Sequence, residues 1–175
     1  MHVKHDSTYS GRREDHRLIT GQGQYADDLH FPGAAHAALV RSPHAHAEIR
    51  SIDVSRAAAL PGILTVLTGR DVLSDGLGPI PHATGSSKAG SYIRLANVDG
   101  SERLITRQWP LPADRARFVG DAVAIVVADT FLQARDAAEA VEIDWNPLPA
   151  VVHAVDALKP DAPRIWDHIP GNCTL

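Results

Sequence analysis

The stretch that most constrains this chain is residues 115–145, RARFVGDAVAIVVADTFLQARDAAEAVEIDW. Residues 122–128 form a run of Ala, Val and Ile without a charge, the pattern of a strand buried on both faces. Asp129 or Thr130 can cap a helix, and Thr130 with Gln133 has the capping-box spacing. Phe131, Ala134, Ala138 and Val141 then recur at steps of three and four, making one apolar stripe. Gln133, Arg135, Asp136 and Glu139 are left for water. Residues 141–145 (VEIDW) alternate apolar and polar, as a strand with one wet face does. The block reads as strand, turn, strand, helix, strand, with a right-handed crossover expected through the helix. It is scaffold, not chemistry. The expected core is Val123, Ile125, Val127, Phe131, Ala134 and Ala138. A charge at Ile125 is expected to unfold it, because an unpaired buried charge is costly.

The rest of the chain fits around that block. Residues 1–17 are polar, with charges of both signs crowded at Arg12, Arg13, Glu14, Asp15 and Arg17, and read as a solvated arm. Residues 35–42 read as a strand ended by Pro43, and residues 48–54 as another, ending at Asp53, a good N-cap. A short helix over residues 55–60 stops at Pro61–Gly62. Residues 63–68 (ILTVLT) make the next strand, and Gly69, Arg70 and Asp71 turn the chain. Residues 74–108 are rich in Gly and Ser and read as a long flexible insertion, with a short strand at residues 92–98; a connection of that length is functional, docking or disordered. After Trp145, residues 146–149 (NPLP) are held extended, and residues 151–155 make a last contact with the sheet. The expected organisation is an arm at 1–17, a domain at 18–155, and an extended linker at 156–175 leading toward a further domain. Two units of capped helix followed by strand, at 53–68 and 129–145, support an α+β domain with helices on one side of a mixed sheet.

With 44% hydrophobic and 22% charged residues over 175 positions, the chain can bury one good core. A net charge of −4 argues against a general nucleic-acid binder, which needs a basic face. One cysteine, Cys173, excludes an internal disulfide or a cysteine-rich iron–sulfur site. The first 20 residues hold no signal-like apolar run, and no segment approaches the roughly 18 apolar residues of a membrane helix. The cytoplasm is the expected compartment.

Candidate chemistry is sparse. Gly21 and Gly23 form a Gly-x-Gly without a third glycine or a strand–helix context, so a backbone turn is the better reading than a phosphate site. Asp27 and Asp28 are adjacent, and on an extended chain they point apart. His44 and His46 would share a face if extended, the minimum for a metal site, but no third ligand follows closely. Ser7, Ser10, Ser42 and Ser86 fall in turns or loops without a base beside them. Asp121 in the VGDAV turn reads as a turn residue, and Asp114 as a loop charge. Nothing matches a nucleophile elbow, a phosphate loop or a His-Glu-x-x-His helix.

The order of several motifs adds more. Arg13-Glu14-Asp15, GQGQYADDL, LVRSPHAHAEIRSIDVSRAAALPGILTVLTGRDV, RFVGDAVAIVVAD, VEIDW and LPAVV together resemble the N-terminal α/β-hammerhead domain of the large, molybdenum-binding subunit of the molybdenum hydroxylases. That family comprises xanthine dehydrogenases, aldehyde oxidases and aerobic carbon monoxide dehydrogenases. The likeness spans about residues 12–170, with nothing to align over 74–108. The opening arm looks most like the carbon monoxide dehydrogenase and heteroaromatic-oxidoreductase branch. The resemblance implies an α+β hammerhead and membership in an assembly that hydroxylates an aldehyde, a heteroaromatic ring or carbon monoxide with water as oxygen source. It also implies a molybdopterin-type molybdenum cofactor, with iron–sulfur clusters and FAD on partner domains or subunits. The family's catalytic glutamate and cofactor-gripping segments lie in later domains. No catalytic, cofactor-binding or metal residue is therefore carried over, and this chain alone is expected to be inactive, a fragment or separately encoded piece. The expected partners are the catalytic molybdenum-binding domains and the iron–sulfur and flavin subunits, with neither nucleic acid nor membrane. The alternative is a stand-alone binding module on a hammerhead scaffold, using His44 and His46 or the 74–108 insertion.

Overall fold

A computed structural model describes residues 12, 14–81, 97, 99–101 and 104–174. The chain forms two compact units, residues 1–34 and 35–175. The first contains a short helix α1 (Asp15–Ile19), which runs across the expected end of the arm at residue 17, and a 3₁₀ turn at Ala26–Asp28.

The second unit carries six strands: β1 (His36–Arg41), β2 (Ala47–Asp53), β3 (Ile63–Thr68), β4 (Arg115–Ala116), β5 (Ala122–Ala128) and β6 (Glu142–Pro147). Its helices are α2 (Ser55–Ala58), α3 (Gly69–Ser74), α4 (Phe131–Glu139) and α5 (Ala154–Ala157). The strands make two three-stranded sheets, ordered β1-β5-β3 and β4-β2-β6. The α+β class stands. Every pairing is antiparallel, however, so the expected mixed sheet is absent among the described residues. β5 and β6 lie in different sheets, and the helix between them makes no parallel crossover within one. The cause is occupancy: β1 and β3 satisfy both edges of β5, leaving β6 to pair with β2. The two helix-and-strand units thus carry the chain in opposite directions, β2-α2-β3 from the second sheet to the first and β5-α4-β6 back again.

Two clusters form the core. Val126, at the centre of β5, packs with Ala57 of α2 and Ala137 of α4, all fully buried. Val123, earlier on β5, packs with Ile49 of β2 and Ala116 of β4. β5 thus belongs to both clusters, with its register against β1 shifting at Val123, between the Val40–Ala124 and Arg41–Ala122 pairs, and Val40 packs against both. Val123 and Ala134 are buried as expected, while Ile125, Val127 and Ala138 are only partly so. Phe131 is a correction: it is 52% exposed, with the Arg135 guanidinium 5.9 Å from its ring centre. The face α4 turns inward is Ala134, Ala137, Ala138, because small side chains let the helix lie close to the sheet and leave no room for a phenyl.

The cap of α4 follows the sequence, while α2 starts from Val54 without a side-chain cap and Asp53 lies one residue before it. Thr130 Oγ1 accepts a hydrogen bond from the Gln133 amide at 3.3 Å, and Asp53 accepts from the Ser55 amide at 2.9 Å ahead of α2. Residues 69–71, read as a turn, instead open α3, because Asp71 reaches back to the Thr68 amide at 2.6 Å and hydroxyl at 2.7 Å. Gly69 is required there by closeness: a Cβ would lie 2.5 Å from the backbone of Pro112 and Ala113. The strand expected at 92–98 falls almost wholly outside the described residues.

Candidate functional site

The histidine pair does not converge on a ligand. His46 is buried, its Nδ1 donates to the Pro149 carbonyl at 2.8 Å, and its buried Nε2 has no hydrogen-bond partner. That bond, with the Leu148 amide donating to the His46 carbonyl, pins residues 148–149 beside β2. His44 meets the Trp145 indole edge-on, centroids 5.6 Å apart. Ser42 is buried and exchanges hydrogen bonds with the backbone of His44, so it is spent on the turn. Ser7, Ser10 and Ser86 lie outside the described residues. Asp27 and Asp28 sit in the 3₁₀ turn rather than on extended chain, and Asp28 accepts from the Tyr25 amide. Gly21, at φ 74°, makes the backbone turn expected of it. Among the described residues no three His, Cys, Asp or Glu side chains gather as metal donors. Cys173 is exposed.

One concave place has built chemistry. A cleft of about 140 Å³ is lined by Gln108, Trp109, Arg117, Phe118, Asp121 and Trp166, among others. The Arg117 guanidinium lies 4.4 Å over the Trp166 ring, donates to the Arg115 carbonyl and faces Asp114 at 3.5 Å, leaving its buried Nε unpartnered. Asp121 is 9% exposed and accepts from the Arg117 amide at 3.0 Å. Burial pushes its carboxyl above the usual carboxylate range, against the opposing pull of that amide and of the nearby guanidinium. Asp121 is the turn residue expected, since its amide closes the turn onto Phe118, and it also forms a wall of the cleft. Sequence reasoning passed over this place because Trp109 and Trp166 are 57 positions apart in segments with no periodic pattern. Their scarcity was the available signal: the chain has three tryptophans, and two line this cleft.

Two interlocked antiparallel sheets with α4 packed on one of them define an α+β domain of hammerhead type. The family model described as aldehyde oxidase and xanthine dehydrogenase, a/b hammerhead domain, matches residues 20–149, and the chain belongs to that family. It is 37% identical over 163 residues to the carbon monoxide dehydrogenase large chain of Afipia carboxidovorans, covering 93% of this chain and 18% of that one. It is 38% identical over 154 residues to the putative xanthine dehydrogenase molybdenum-binding subunit of Escherichia coli, covering 88% and 18%. Among solved structures it superposes on quinoline 2-oxidoreductase from Pseudomonas putida 86 with a TM-score of 0.74 at 40% identity, over 91% of this chain and 18% of that one. The chain therefore spans less than a fifth of the length of these relatives. Among the described residues no helix is long and apolar enough to cross a membrane.

Proposed function

We propose that this chain serves as the non-catalytic hammerhead domain of a molybdenum-cofactor-dependent oxidoreductase. That assembly hydroxylates an aldehyde, a heteroaromatic ring or carbon monoxide, with water as oxygen source. Catalytic molybdenum-binding domains, in the same subunit or a separate chain, are its neighbours, and iron–sulfur and flavin subunits complete the electron path. The described residues do not fit a resident metal, since no donor set converges and His46 Nδ1 is already engaged. The contribution of this domain is packing.

The observation that carries this reading is an apolar row across the first sheet. Leu39, Ile125 and Leu67 stand directly opposite one another on β1, β5 and β3, and so on one face. Leu39 is 41% and Leu67 38% exposed. The next rung is Ala37, Val127 and Thr65, so the row is followed by no charge. Arg41 bounds the row at one end of β1, and an exposed apolar row of this kind marks a surface that a partner covers.

The test is to recover the chain, tagged at its N-terminus, from its host. The size of the tagged polypeptide and the molybdenum and iron that accompany it are then measured. A chain several times longer, or a short chain with molybdenum-containing partners, is the expected result. A lone chain of about 18.8 kDa without either metal would overturn the proposal and favour a stand-alone binding module.

A further inference from the structure

We propose that the cleft between Trp109, Phe118 and Trp166 is a binding site for a small, uncharged aromatic ring that carries one O–H or N–H donor. This does not depend on the molybdenum reading.

Size sets the first limit. An apolar cavity of about 150 Å³ holds a benzene ring, and this cleft offers about 140 Å³. The walls set the second. Trp109 and Phe118 are two aromatic surfaces at the cleft, and Phe118 is 48% exposed. Trp166 lies under the Arg117 guanidinium, which fixes the orientation of its ring. Flat walls favour a flat guest, stacked or edge-on.

Charge sets the third. Arg107 and Arg117 both line the cleft and disfavour a cation. Arg117 is already paired with Asp114, so Asp121, which lines the cleft too, balances Arg107 and disfavours an anion. A neutral guest meets neither penalty. The hydrogen-bond count sets the last. Asp121 is 9% exposed, and Oδ2 is the oxygen held by the Arg117 amide. A carboxylate has capacity for several donors, and a guest O–H or N–H would supply one more to this largely buried side chain.

The test uses the 175-residue chain and two probes of like shape, phenol and toluene. Binding is followed by the ¹H–¹⁵N signals of the three indole N–H groups. Trp145 does not line the cleft and is the internal control. Saturable shifts at Trp109 and Trp166 but not Trp145 are expected, with phenol about tenfold tighter than toluene, as a hydrogen bond to a charged acceptor warrants. Phe118→Ala, a change at an exposed side chain, should weaken both probes while leaving the thermal midpoint near that of the parent. Asp121→Asn should narrow the gap between phenol and toluene. Equal affinity for the two probes, equal shifts at all three indoles, or no saturation below the solubility limit would each overturn the assignment.

Discussion

Val126→Ala probes the joint between the first sheet and its helices. Val126 is fully buried against Ala57 and Ala137, so truncation removes two methyl groups that have no access to water. At about 0.8 kcal/mol per buried carbon, the lost transfer energy is about 1.6 kcal/mol. Ala57 and Ala137 have no side-chain torsion to move a heavy atom inward, and the branched side chains also packed here, Val40, Ile63, Val66 and Val141, refill the space only in part. A residual void of about 30 Å³, at about 24 cal/mol per Å³, adds about 0.7 kcal/mol. The expected loss is therefore about 2–3 kcal/mol, or about 4–12 °C in Tm for a chain of this size. Urea unfolding followed by circular dichroism measures it, with an unchanged m-value showing that the folded state kept its extent. The companion is Ile125→Asp, one residue along and on the open sheet face, where the carboxylate can reach water. Because Ile125 is only partly buried, this variant should keep a cooperative transition, against the expectation from sequence that a charge there unfolds the chain, whereas Val126→Asp should not. A cost for Val126→Ala below about 0.5 kcal/mol, or an Ile125→Asp variant that unfolds while Val126→Asp survives, would refute the assignment of faces along β5.

Gly69→Ala places a Cβ 2.5 Å from the backbone of Pro112 and Ala113 and should cost about 1–3 kcal/mol by overpacking, read by the same urea titration. Thr130→Ala removes the side-chain cap of α4 and should cost about 1 kcal/mol; an unchanged midpoint would show that the cap carries no weight. The Thr68 hydroxyl and amide hold the Asp71 carboxyl below the usual carboxylate range. Its stabilisation is thus complete above the ordinary value and fades as pH falls through the lowered one, so Asp71→Ala should weaken the protein at neutral pH and lose less than the parent on acidification. Asp121 has the opposite sign: burial raises its pKa, the folded state holds the proton more tightly, and its contribution improves as pH falls through the raised value. Asp121→Asn should remove that acid gain, which unfolding midpoints measured between about pH 3 and 7 would show.

What was legible in the sequence was periodicity within segments. The uncharged run at 122–128 became β5, the residues after Thr130 became α4, and ILTVLT became β3, each within a residue or two. What periodicity could not show was which edge meets which. A strand buried on both faces suggests a parallel sheet between helices, yet β5 is covered on one face by α4 and α2 and partly on the other by the second sheet. A charge-free run records burial, not the direction of its neighbours. The stripe along α4 failed differently: Phe131 fits the spacing as well as Ala137 does, but only the smaller residue fits the distance between helix and sheet. Arg117 and Trp166 were beyond reach for a third reason, since their contact joins a strand end to an irregular segment 49 residues away.

The open apolar row follows from how the second sheet meets β5. Ile49 and Ala116 of the second sheet pack on β5 at Val123, where the β1–β5 register shifts. Beyond that shift the Ile125 rung, with Leu39 and Leu67 on either side, stays partly exposed. Filling the Ile125 rung from within would require the β4-β2-β6 sheet to extend further along β5. The bend in its own ladder works against that: the β2–β6 register shifts between Ile49 and Ser51, the point where a bulge turns a strand away from its course. Among the described residues, the Ile125 rung is thus left partly exposed beside the cluster that Ile49 and Val123 form.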